Sequence, residues 1–151
     1  AYSHGLKAGL TGLKQVAAEE KSGDGRSLSE DPAFQSKIAE AEIAISALEF
    51  TELRILSSLS TGKNVGPESS LLKCRGSELQ QVLTELYCEA VGNYAAPFDN
   101  SGPVKGSNVE PIGPEHAAVA APAYFNTRKV SIYAGSNEIQ RNIMAKMVLG
   151  L

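Results

Sequence analysis

The stretch Ala134-Gly135-Ser136-Asn137-Glu138, inside SIYAGSNEIQRNIMAKMVLGL (Ser131–Leu151), holds the residues best placed to do chemistry. An apolar segment runs into Ala134-Gly135, breaks, and restarts as an amphipathic helix from Asn137 to about Val148. Ser136 is placed to act as its N-cap, and Glu138 falls in its first turn, where the helix dipole favours a negative charge. A helix N-terminus offers free backbone N–H groups and a positive dipole end, here with a hydroxyl beside them. That suits a phosphate or an electron-rich ring edge. Every helix has such an end, so spacing alone does not make this one a binding site.

Other constellations are missing. The sequence has no Gly-rich phosphate loop, no Ser-His-Asp or Cys-His arrangement and no metal-ligand spacing. His4 and His116 are isolated and read as surface or capping residues. Cys74 and Cys88 lie fourteen positions apart in one expected helix. They are therefore about 21 Å apart, too far to bridge, and read as reduced thiols of a cytoplasmic protein. Glu52 occupies an apolar slot of its helix, which leaves open an ion pair, an edge position or a buried functional carboxylate.

The elements that must position these residues are all helical. No period-2 run with β-branched enrichment occurs between turn residues. A first helix covers about residues 3–21 and carries Gly5, Gly9 and Gly12 on one stripe. Each interior glycine costs about 1 kcal/mol relative to alanine, so either close helix packing or the wall of a ligand site must offset it. After the polar loop Lys21–Pro32, Asp31 caps a second helix with Pro32 at its first position. Its seam, Phe34, Ile38, Ala41, Ile45, Leu48, Ile55 and Leu59, has bundle-like spacing.

Pro67 opens a third helix with Leu72, Leu79, Leu83, Leu86 and Ala90 on its buried face, ending near Gly92-Asn93. The long irregular segment Asn93–Gly113 contains Tyr94 and Phe98, which should pack it partly against the domain. Pro114 starts a fourth helix through Tyr133, with Pro122 expected to kink it or shorten its start. Ile139, Ile143, Met147 and Leu151 form the apolar stripe of the fifth. The expected fold is all-α: an up-down four-helix bundle with an additional short C-terminal helix.

With 151 residues, 42% of them hydrophobic and 21% charged, the chain fits one domain with a real core. The formal net charge of -3, with no basic stripe, argues against a nucleic-acid surface. No apolar run approaches the roughly 20 residues of a membrane span. The chain has no initiator Met and opens directly into helix, which reads as a single domain, residues 1–151, of a longer protein.

The stretch IYAGSNEIQRNIMAKMVLGL closely resembles the C-terminal signature of the acyl-CoA dehydrogenase family, Ile-Tyr-x-Gly-Thr/Ser-x-x-Ile-Gln-Arg followed by an amphipathic helix and often Val-Leu-Gly-Leu. The upstream order also fits: a glycine-bearing helix, a polar loop, two long helices and a Gly-containing turn. GSNVEPIGPEHA and YFNTRKVSIY look most like a bacterial branch that handles dicarboxylic or sterol-side-chain thioesters. The resemblance implies a C-terminal bundle that follows an N-terminal helical domain and a β-domain. It also implies FAD, an acyl-CoA substrate, electron transfer to a partner flavoprotein, and a homo- or hetero-oligomer, dimer or tetramer, in which each flavin touches two subunits.

By the same resemblance, Tyr133 lies beside the acyl chain with Ala134 and Gly135, and Ser136, Asn137 and Glu138 match the stretch that contacts FAD. The family's Gln-x-Phe-Gly-Gly turn, which contacts a neighbour's FAD pyrophosphate, reads Glu89-Ala90-Val91-Gly92-Asn93, so only Gly92 is kept and Glu89 replaces an amide. Lys21 is the one residue able to stand in for the arginine after the first helix. Of the Arg-Asp-Ala-Arg/Lys stretch before the signature, Phe125-Asn126-Thr127-Arg128 keeps only the last basic position. Many members place their catalytic glutamate where this chain has Ala134, which cannot accept a proton. No catalytic base is therefore assigned within the chain. Three explanations stay open: a base upstream of residue 1, a base from a paired subunit with this chain specialised for cofactor or assembly, or no dehydrogenase activity.

Overall fold

A computed structural model describes residues 2–62, 64, 66–97 and 108–150. The expected roles of Phe98 and Leu151 lie outside the described residues. Five α-helices follow in order: α1 (Tyr2–Glu19), α2 (Pro32–Ser60), α3 (Glu68–Val91), α4 (Ala120–Thr127) and α5 (Asn137–Leu149). No strand occurs among the described residues, apart from one isolated bridge between Lys21 and Ser27 that closes the loop after α1.

Charge pairs record the register. Lys7 meets Glu49 at 2.6 Å and Lys14 meets Glu42 at 2.8 Å. Seven residues forward on α1 are thus seven back on α2, as an antiparallel pair requires. Exposed pairs of this kind contribute under about 1 kcal/mol each, so they mark the register more than they hold it. Lys37 near the start of α2 meets Glu89 near the end of α3, which makes that pair antiparallel too. Arg128, just past α4, reaches the Gln81 carbonyl at 2.9 Å, while the start of α4 lies by Leu83 and Tyr87. The four helices therefore run up and down, and α5 crosses α3 as the additional element.

The core is a single cluster. Leu6, Leu10, Leu13, Val16 and Ala17 of α1 meet Phe34, Ile38, Ala41, Ile45 and Leu48 of α2 and Leu79, Leu83, Leu86, Ala90 and Val91 of α3. Asp31 caps α2 by accepting from the Phe34 N–H at 2.9 Å, with Pro32 opening the helix. The α2 seam holds as far as Leu48. Its next buried residue is Glu52, whereas Leu59 is 42% exposed, because the last turns of α2 extend past the core.

Three expectations need correction. The segment from Pro114 to Tyr133 is not one α-helix: 3₁₀ turns at Glu115–Val119 and Arg128–Ser131 flank the short α4. Pro122 sits in the first turn of α4, where its missing N–H costs nothing. The stripe Ile139, Ile143 and Met147 is exposed; the buried residue of α5 is polar Asn137. Of the glycine stripe only Gly9 packs closely, a Cβ there lying 3.3 Å from Leu83, while Gly5 and Gly12 face open space. The close approach is made instead by Gly76 of α3, against which the Tyr2 ring lies. The long segment after α3 is pinned at its described ends, where the Tyr94 ring covers Gly113.

Candidate functional site

The break between the 3₁₀ turn and α5 spans Ile132–Ser136. Ala134 and Gly135 both have positive φ, 55° and 82°. Glycine enters this region freely, but an alanine there costs roughly 1 kcal/mol or more. Two successive left-handed residues reverse the chain sharply enough to start α5 against α3. Ser136 caps α5, its Oγ accepting from the Ile139 N–H at 3.5 Å. Gln140 reaches back across the break, its Nε2 donating to the Ala134 carbonyl at 3.2 Å.

Tyr133, Ala134 and Gly135 are exposed, so the residues expected beside an acyl chain lie on an open face of this chain. Glu138 is exposed beside them. A hydrogen bond from its own backbone N–H, then one from the Ser136 hydroxyl, and the charges of Arg141 and Lys73 hold its carboxyl below the usual range. Asn137 turns inward. Its amide is buried, accepting from Lys73 Nζ at 2.8 Å and donating to Ser77 Oγ at 3.1 Å. Its role is to hold the start of α5 on α3, which leaves Ser136 and Glu138 facing outward.

The remaining proposed cofactor residues are elsewhere. Gly92 terminates α3 with φ 56°, its N–H donating to the Cys88 and Glu89 carbonyls. Glu89 is paired with Lys37 at 2.5 Å, so a cation stands beside this carboxylate. Lys21 is exposed in the loop after α1. Because α1 and α3 run the same way, Lys21, Glu89 and Gly92 share one end of the bundle. The break lies near the other, against Lys73 and Ser77. The fifteen helical steps from Ser77 to Gly92 span about 22 Å.

Glu52 resolves as a structural acceptor. It is buried and accepts from the Ser3 hydroxyl at 2.5 Å, the Tyr2 N–H at 2.5 Å and the Ser3 N–H at 3.3 Å. Burial pushes its carboxyl up, but these hydrogen bonds more than offset that and leave it below the ordinary value. The Tyr2 phenol is pushed up by burial and then by Tyr133 and Glu52. His116 is likewise a fastening, meeting Glu20 at 2.7 Å and Glu19 at 3.5 Å. Cys74 and Cys88 are free thiols raised by burial.

Sequence reasoning missed the polar face of α3. Lys73, Ser77 and Gln81 recur every four residues opposite the leucine face and are buried or half-buried against the break. Their helical spacing was the available signal. Gly9 and Gly12 line a groove of about 280 Å³ with Leu83, Thr84, Tyr87, Val119, Ala120 and Ala123. No cluster of metal-binding side chains and no helix long and apolar enough to cross a membrane occurs among the described residues.

The geometry of the break makes one substitution informative. Ala134→Glu is expected to fold with wild-type stability to within about 0.5 kcal/mol, because the position is exposed and its left-handed cost is already incurred. Circular dichroism and urea denaturation check this, and an unfolded variant contradicts the open placement.

Comparison with known proteins gives the frame. The fold is shared with a chain of the ChsE4–ChsE5 complex from Mycobacterium tuberculosis (TM-score 0.72, 20% identity, covering 97% of this chain and 35% of that one). It is also shared with PigA in its FAD complex (TM-score 0.74, 17% identity, 99% and 34%). A third similar structure is described as the electron transferring flavoprotein of Acidaminococcus fermentans (TM-score 0.72, 19% identity, 95% and 33%). The chain spans about a third of the length of each. No curated protein matches it by sequence. The family model of the acyl-CoA dehydrogenase C-terminal domain matches residues 8–149. With that match, the helical bundle and the signature break, the chain belongs to the acyl-CoA dehydrogenase family, as its C-terminal domain.

Proposed function

We propose that this chain is the flavin-facing, oligomer-forming bundle of a longer, cytoplasmic FAD-dependent acyl-CoA dehydrogenase, which removes hydrogens from Cα and Cβ of an acyl-CoA thioester and passes electrons to a partner flavoprotein. The observation that carries this reading is the break itself. Tyr133, Ala134 and Gly135 lie exposed beside the capped N-terminus of α5, held from behind by α3. The residues present fit a flavin in a definite way. Like charge at Glu138 disfavours a phosphate there, whereas the positive helix end suits a polar ring edge. At the opposite end Lys37, paired with Glu89 three residues before Gly92, is the cation that a phosphate would meet. With the two ends about 22 Å apart, they are assigned to flavins of different subunits.

A bound FAD would supply the hydride acceptor for Cβ. The residues of this chain would orient: Tyr133 would lie beside the acyl chain, the start of α5 at Ser136 would face the ring edge, and the rest of the protein would close the open face from water. The α proton goes to a base that Ala134 cannot supply. Among the nearby carboxylates Glu52 is committed to hydrogen bonds with Tyr2 and Ser3, and Glu138 caps its own helix. That favours a base upstream of residue 1 or on another subunit.

The absence of a base at Ala134 also supports a second reading, a non-catalytic partner in a hetero-oligomer. One similar structure is itself a complex of two differently named proteins. Purification of the complete protein separates these readings. The dehydrogenase is expected to be yellow, and its flavin absorbance to bleach on adding acyl-CoA without oxygen. Bound FAD that never bleaches supports the paired subunit, and a protein that binds no FAD refutes the flavin assignment.

A further inference from the structure

Lys73 of α3 is buried, 8% exposed, and donates to acceptors on both sides of the break. Its Nζ lies 3.2 Å from the Ser131 carbonyl and 2.8 Å from Asn137 Oδ1. One ammonium thus joins the last residue of the 3₁₀ turn to the first of α5. One turn along, Ser77 bonds the Asn137 amide at 3.1 Å, and one turn further Gln81 Nε2 donates to the Arg128 carbonyl at 3.1 Å and Ser131 Oγ at 3.3 Å. No ion pair among the described residues involves Lys73.

A buried ammonium facing neutral acceptors is a poor source of stability, because desolvating the charge costs more than an apolar replacement does. What it provides is geometry. Three donors on one small head can hold two oxygens that belong to different segments at a fixed separation. The five residues between those segments then have their end points set, and so does the direction in which Tyr133 and Ser136 face.

Taking the flavin reading as its basis for catalysis, we infer that Lys73 is a positioning residue: it fixes the separation of Ser131 and Asn137 and thereby aims the break at the flavin and thioester. The test uses the complete protein, wild type beside Lys73→Met, Lys73→Arg and Asn137→Ala. It is read by amide hydrogen exchange, flavin absorbance and steady-state kinetics. In Lys73→Met, amides of residues 132–139 are expected to exchange about tenfold faster or more, as loss of charge-assisted hydrogen bonds implies, while α1 and α2 keep wild-type protection. The flavin spectrum shifts, and kcat falls about tenfold with a smaller change in KM. Lys73→Arg, which keeps charge and donors, recovers most of the loss. Asn137→Ala loosens the α5 side but not Ser131.

Wild-type exchange at 132–139 in Lys73→Met overturns the inference, as does an equal loss of protection throughout α1 and α2. If Lys73→Met fails to fold, Asn137→Ala decides, and wild-type exchange there overturns it. A wild-type protein without flavin defeats the flavin reading alone, and the exchange measurement still shows whether Lys73 holds the break.

Discussion

Glu52→Ala is expected to lower the stability of this fold by about 3 kcal/mol at neutral pH, the scale for stranding several buried donors at once. The Ser3 hydroxyl and the N–H groups of Tyr2 and Ser3 all donate to this carboxylate, and alanine leaves them no acceptor. Glu52→Gln keeps one carbonyl oxygen and should lose roughly half as much. The acid dependence carries a sign. The folded-state pKa lies below the ordinary carboxylate value. The stabilisation is therefore complete above the unfolded-state pKa, about 4.3, and is lost as pH falls through the lower folded value. Urea denaturation at pH 7 and pH 3 checks this: the gap between wild type and Glu52→Gln narrows at the lower pH. An unchanged gap contradicts the assignment of Glu52 as an ionised acceptor.

Gly135→Val is expected to cost about 3 kcal/mol, the sum of a left-handed conformation forced on a β-branched residue and a lost hydrogen bond. Gly135 has φ 82°, and a Cβ there lies 2.7 Å from Gln140 Nε2. Gln140 can swing away, but it then releases the Ala134 carbonyl it caps. Ala134→Gly is the contrasting change. It relieves the cost at φ 55° and frees the unfolded chain, two effects that oppose each other, so stability should stay within about 1 kcal/mol. Thermal unfolding of both variants provides the check. Equal losses at the two positions contradict the account of the break as a pair of left-handed residues of which only one is glycine.

The bundle was legible because its rules are local. Asp31-Pro32 announces a capped helix, and Phe34 to Leu48 recur with the period of a buried seam. Ser136 could be read as a cap from its place after a glycine. What the sequence hid is long-range. Nothing local distinguishes an α5 stripe that packs from one that stays exposed, because the partner surface decides. Gly5, Gly9 and Gly12 suggested a close approach, but only Gly9 makes one, to Leu83, and the tighter contact is at Gly76, where the Tyr2 ring lies against α3. Periodicity marked Glu52 as unusual, but only the fold showed that α1 supplies its donors. Lys73 escaped notice because a lysine in an amphipathic helix ordinarily points to water. Here α3 is covered on a second side by the break and α5, so its polar face is interior. The residues of the candidate site were visible as a motif, while the frame that holds them was not.

The backbone at Ala134 also bears on how this chain relates to its kin. The residue is exposed and already sits in the conformation that is unfavourable for any side chain other than glycine. Adding a carboxylate there is expected to alter little else in the fold. Any alanine codon becomes an aspartate or glutamate codon by a single base change at its middle position. In mutational terms an acidic group at this position is one step away, with almost no stability barrier to selection in either direction. On the proposed function, a lineage could therefore move its proton acceptor to another site, or divide the task between two gene products, without passing through an unfolded intermediate.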